Sequence, residues 1–144
     1  MEAARQEESA QGQPERRKSA LAARCLDPAA ALLFVINASA GAQDIDARRG
    51  MIESALAAHG RKGELLVCRP GDLPQVAAEA AAAAVATNTA VIAVGGDGSL
   101  NTVAQAAHAA GCAMGVIPCG TFNYFARTHG IPTDPAAAAR LLLD

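Results

Sequence analysis

The stretch Gly95-Gly96-Asp97-Gly98-Ser99 sets three glycines around one carboxylate and one hydroxyl, directly after the apolar run Ala90 to Val94. Glycines let a backbone approach a ligand closely, and N–H groups at the start of a following helix can donate to an anion. Asp97 repels a phosphate, so its natural partners are a divalent metal, a water or a hydroxyl. The combination points to metal-assisted nucleotide chemistry rather than simple anion capture. Two further loops offer the same ingredients of small residues with an amide or hydroxyl: Asn37-Ala38-Ser39-Ala40-Gly41, and Pro118-Cys119-Gly120-Thr121-Phe122-Asn123. Taken singly, a glycine-rich turn is often only a turn, and a loop Asn or Thr often caps its own backbone. No Lys follows the glycines as in a GxxxxGK[ST] loop, and the dinucleotide fingerprint GxGxxG is absent.

Elements that would hold these loops follow from the periodicity. Apolar runs at Ala31 to Asn37, Glu64 to Arg69, Ala90 to Val94 and Ala113 to Ile117 read as strands. Helical patterns fill the spaces between them, at Ile45 to His59, Leu73 to Ala86 and Leu100 to Ala110. The order is βαβαβαβ. A strand as apolar as Leu32-Leu33-Phe34-Val35-Ile36 needs cover on both faces, which predicts an α/β fold, a three-layer open, mostly parallel sheet with helices on both sides. The three loops then share the carboxyl edge of the sheet, where open α/β sheets bind ligands. In the helix after the glycines, Leu100, Val103, Ala104 and Ala107 follow i, i+3, i+4, i+7, which leaves Asn101 on the surface one turn from the glycines.

Within 144 residues one domain is expected, and 12 basic against 14 acidic residues give a net charge of −2. No general field draws such a chain to nucleic acid or to anionic lipid. The four cysteines, Cys25, Cys68, Cys112 and Cys119, form no CxxC pair. They read as reduced thiols of a cytoplasmic protein. Residues 1–25 are expected to be a disordered leader, because their mixed charges and scarcity of large apolar residues cannot offset the entropy of folding. Residues 26–144 are expected to form the domain. Asp134 before Pro135 opens a last helix whose Leu141 to Leu143 have nothing after them to pack against, which suggests a chain cut from a longer polypeptide.

The glycine–aspartate cluster through Leu100-Asn101 is followed by Gly115-Val116-Ile117-Pro118-Cys119-Gly120-Thr121-Phe122-Asn123-Tyr124-Phe125-Ala126-Arg127 and Gly130-Ile131-Pro132. Together they resemble the catalytic-domain signature of the diacylglycerol kinases, sphingosine kinases and bacterial lipid kinases. The cluster alone is shared with nicotinamide-dinucleotide kinases and phosphofructokinases, so the second block carries the finer resemblance. It implies the N-terminal nucleotide-binding lobe of a lipid kinase that uses ATP and Mg²⁺ to phosphorylate a lipid hydroxyl, of diacylglycerol or a similar alcohol. The β-rich second lobe, with the lipid pocket and the catalytic base, is not in this chain, which is therefore expected to be inactive alone. No catalytic residue is assigned.

By the same resemblance Gly95, Gly96, Gly98 and Ser99 hold phosphates, Asp97 orients them through metal or water, and Asn101 braces the loop. Gly120, Thr121 and Asn123 complete the nucleotide site, and Asn37 and Gly41 match the first-strand loop. The whole enzyme would meet its lipid by transient contact with a membrane surface, within phospholipid metabolism, and would bind no nucleic acid. Three departures stand out: Ala38 where the family often has Pro, Ser99 for Thr, and Tyr124 where Asp often follows the Asn. Two other readings remain: a kinase of the same superfamily acting on a soluble substrate such as a nicotinamide dinucleotide, and a non-catalytic nucleotide-binding or assembly module. Among the remaining residues, His59, His108 and His129 read as surface caps. Cys119 reads as a small filler, with a reactive thiolate as its alternative, and Arg127 as a helix cap or a phosphate contact.

Overall fold

Alternation along the central strands decides which helices cover which face. In the computed structural model, which describes residues 26–38, 42–120 and 123–143, the strands are β1 (Leu32–Asn37), β2 (Gly63–Cys68), β3 (Ala90–Gly95) and β4 (Ala113–Pro118). The helices are α1 (Ala42–His59), α2 (Leu73–Ala86), α3 (Asp97–Ala110), α4 (Tyr124–Thr128) and α5 (Pro135–Leu143), and a 3₁₀ turn, Pro70–Asp72, leads into α2. All pairings are parallel in the order β2-β1-β3-β4.

Successive side chains of a strand point to opposite faces. Leu32, Phe34 and Ile36 of β1, with Ile92 and Val94 of β3, therefore meet Ile52 and Leu56 of α1 and Ala139 and Leu143 of α5. Val35, Val91 and Ala93 face the other way, against Ala77 and Ala80 of α2 and Leu100, Val103 and Ala107 of α3. The result is the three-layer α/β sandwich expected from the apolar runs. The alanine-rich α2 buries Ala77, Ala80, Ala81 and Ala84, small side chains that allow close approach to the sheet and to α3. β1 and β3, with neighbours on both sides, are buried almost throughout, while edge strand β2 leaves Glu64 and Val67 exposed.

Three details depart from the periodicity. α1 starts at Ala42, earlier than Ile45, with Asp44 in its first turn, where a carboxylate is favoured by the helix dipole. β4 runs on to Pro118, opposite Gly95, which an edge strand tolerates because one side of it needs no donor. The last helix does find cover: Leu143 is buried in the α1 face, and Leu142 lies so close over β4 that a Cβ at Gly115 would run into it. Only Leu141 of that triplet is exposed. The leader expected over residues 1–25 lies outside the described residues.

Candidate functional site

Chain order and sheet order diverge between β1 and β3. From β1 the chain moves outward to β2, and from β3 outward to β4 on the other side. The carboxyl ends of β1 and β3 therefore flank a topological switch point, the crevice where open α/β sheets take ligands. Asn37 ends one of these strands and Gly95 the other. The Asn37 Nδ2 amide donates to Ser99 Oγ at 2.9 Å, tying the end of β1 to the start of α3 across the crevice.

The glycine cluster turns directly into α3. Gly96 is its extended N-cap residue, and the first intrahelical bond runs from the Leu100 N–H to the Gly96 carbonyl at 3.0 Å. Helix geometry leaves the N–H groups of Asp97, Gly98 and Ser99 without an acceptor inside the helix. Around Gly98 there is open space, so a ligand oxygen can reach these donors. Gly95 is different. A Cβ there would sit 3.0 Å from Ser99 Cβ, so glycine keeps room for the hydroxyl that Asn37 grips.

The second loop packs on the first, backbone to backbone. The Cys119 N–H donates to the Gly95 carbonyl at 2.8 Å. A Cβ on Gly120 would lie 3.0 Å from Gly96 Cα and 3.2 Å from Asn123 Oδ1. Asn123 is buried, sits in the left-handed region at φ 55°, and accepts from the Gly120 N–H at 2.9 Å, tying the start of α4 to Gly120. Left-handed backbone is most tolerable for glycine and for Asn, whose short amide bonds locally.

Asp97 has partners that sequence reasoning did not find. Its Oδ2 accepts the Tyr124 N–H at 2.9 Å and its Oδ1 accepts the Phe125 N–H at 2.8 Å, capping the start of α4. These donors are 27 and 28 residues away along the chain, so spacing near Asp97 gave no sign of them. Asn101 lines a shallow depression with Asp97, Tyr124, Phe125, Thr128 and His129, beside the start of α3. Gly41 and Thr121 lie outside the described residues.

The Cys119 thiol has its pKa raised by burial, partly countered by the charge of Arg48, which opposes the idea of a thiolate activated by glycine N–H groups. Arg48 was not singled out by the sequence, although it brings positive charge from α1 to the second loop. His129 lies against Phe125 with the rings tilted and 4.5 Å apart between centroids, and His59 Nδ1, half-buried at the end of α1, bonds the Ala55 carbonyl at 2.9 Å.

The residues fit an anionic phosphate chain: unclaimed helix N–H donors, open space at Gly98 and two glycine backbones in contact. Among the described residues no three His, Cys, Asp or Glu side chains gather as a metal cage. A Mg²⁺ carried by a nucleotide needs none, since it keeps waters and takes further ligands from the phosphates.

A doubly wound α/β domain with a glycine-lined crevice at its switch point is thus the class defined by fold and site. Residues 31–144 match the diacylglycerol kinase catalytic domain, and the chain belongs to that family. It is 42% identical over 97 residues to a Pseudomonas aeruginosa protein named probable lipid kinase YegS-like, which covers 63% of this chain and 31% of the relative. It is 45% identical over 65 residues to the diacylglycerol kinase of Mycobacterium tuberculosis, 44% of this chain and 21% of that one. A crystal structure of a diacylglycerol kinase from Bacillus anthracis superposes with a TM-score of 0.65 at 28% identity, covering 78% of this chain and 42% of the other. The chain spans about a third of the length of the first of these relatives. The names of these relatives are those of a kinase-like enzyme family, and among the described residues no helix is long and apolar enough to cross a membrane.

Proposed function

We propose that this chain is the ATP-binding N-terminal lobe of a Mg²⁺-dependent lipid kinase that phosphorylates a lipid hydroxyl, on diacylglycerol or a similar alcohol. The observation that carries the reading is the convergence of three strand-end loops on one crevice, tied by the Asn37–Ser99 and Asp97–Tyr124/Phe125 bonds. Gly96, Gly98 and Ser99 offer their N–H groups to the phosphates. Gly95 and Gly120 keep the two loops close enough for one ligand to touch both, and Asn37 and Asn123 hold the loops in shape. Gly41 and Thr121 are assigned to the site on family resemblance alone, while Asn101 borders it.

Phosphoryl transfer depends on positioning and on charge stabilisation. In this lobe the helix N–H donors stabilise negative charge on the phosphates, and bound Mg²⁺ would add to that charge neutralisation. The lipid pocket and the base that takes the acceptor proton belong to the second lobe, so this chain alone turns over nothing. The whole enzyme would work in the cytoplasm and meet its lipid at a membrane surface.

Calorimetric titration of MgATP into the chain tests the reading. Weak saturable binding is expected, with no phosphorylation of diacylglycerol vesicles. Failure to bind overturns it, and measurable lipid phosphorylation by the chain alone overturns the inactivity expected of this lobe.

A further inference from the structure

Each oxygen of the Asp97 carboxylate is engaged by a different backbone N–H, at 2.9 Å and 2.8 Å, in two successive residues of α4. A carboxylate so placed bonds the open end of a short helix twice, and charge-assisted bonds of this kind are the stronger class. Asp97 itself is the first residue of α3, whose own N–H groups face the crevice. One residue thus joins the helix start that offers donors to the helix that ends the second loop. Between them lies Gly120, whose Cα is packed on Gly96 and whose N–H is held by Asn123.

Taking the nucleotide reading above as given, on which this rests, we infer that Asp97 is a positioning residue that clamps the second loop onto the first, rather than a ligand of the metal. The clamp sets the distance between the Gly96–Ser99 donors and the Gly120 backbone before any nucleotide arrives. Its loss loosens α4 from the start of α3, and the two halves of the phosphate cradle no longer meet one ligand together. A clamp and a metal ligand differ in one measurable respect. A clamp serves ATP with and without Mg²⁺ alike, whereas a metal ligand matters only when the metal is present.

The test compares the unmodified chain with Asp97→Ala and Asp97→Asn. Affinities for MgATP and for ATP in EDTA are measured for each, and amide hydrogen exchange is followed without nucleotide. Asp97→Ala should weaken both affinities by a similar factor, about tenfold or more from two lost charge-assisted bonds. Asp97→Asn keeps one acceptor and should lose less than Asp97→Ala. In both variants the Tyr124 and Phe125 amides should exchange faster while those of β3 keep their protection, so a global loss of stability is told apart. A fall confined to MgATP, with Tyr124 and Phe125 still protected, overturns the inference in favour of metal ligation. Unchanged affinities in both variants overturn it as well. If the unmodified chain binds neither form of ATP, the nucleotide reading itself fails and the positioning role falls with it, a result distinct from either pattern.

Discussion

The two ends of the sheet are built on opposite terms. At the carboxyl end, polar side chains from distant parts of the chain find each other: Asn37 with Ser99, Asp97 with Tyr124 and Phe125, Asn123 with Gly120. At the amino end lies a cavity of about 480 Å³ lined by Leu26, Val85, Ala107, Cys112 and the buried Thr89, whose hydroxyl has no hydrogen-bond partner among the described residues. A buried hydroxyl without a partner costs about 1–3 kcal/mol by mutational measures. The end where strands begin tolerates that cost, whereas the end where they finish satisfies its side chains and leaves helix N–H groups facing the crevice. Polar order is concentrated where ligand geometry matters, and the contrast can be broken from either side.

The largest effect is expected at Gly120. In Gly120→Ala the new methyl meets the Gly96 backbone at 3.0 Å and the Asn123 amide at 3.2 Å, and neither is the free end of a flexible side chain. The loops must separate, so thermal unfolding should show a loss of about 1–3 kcal/mol. MgATP binding by calorimetry should disappear. Thr89→Val is the opposite case, because it removes a hydroxyl that has no partner among the described residues, with little change in volume. A gain of about 1 kcal/mol is expected by the same unfolding measurement, with nucleotide affinity unchanged.

The smallest effect concerns Cys119. Burial raises its pKa, so less thiolate is present at neutral pH than in an exposed cysteine, and alkylation by iodoacetamide should be slower than that of a cysteine-containing peptide. The sign for stability follows from the same shift. Because the folded pKa is above the unfolded one, the contribution is full below the unfolded pKa and is lost as pH rises through the folded value. Denaturant midpoints should therefore decline at alkaline pH, and Cys119→Ser should flatten part of that decline.

Much of this architecture was legible along the chain because burial in a two-sided sheet imposes a local pattern. Leu32 to Ile36 and Ala90 to Val94 could be strands only if covered on both faces, and they are buried throughout. The loops at Asn37, Gly95 and Pro118 were expected to share an edge, since parallel strands joined by helices finish on the same side. The partners of individual side chains were not legible. Leu143 was expected to lack cover and instead packs beside Ile52 and Leu56, because α5 folds back over β4. Arg48 gave no signal in the sequence, since only the docking of α1 carries its charge to Cys119.

The sequence by itself determined the elements, their layering and the three strand-end loops, for these follow from periodicity and from turn chemistry between near neighbours. The tertiary structure decided what each polar group at the crevice does. The carboxylate of Asp97 became a cap on α4 only because sheet order β1-β3-β4 and the Gly96–Gly120 contact bring residues 27 and 28 positions away within hydrogen-bond reach. Hydrogen bonds are short and directional, so their partners are chosen by the packing of whole elements and not by spacing along the chain.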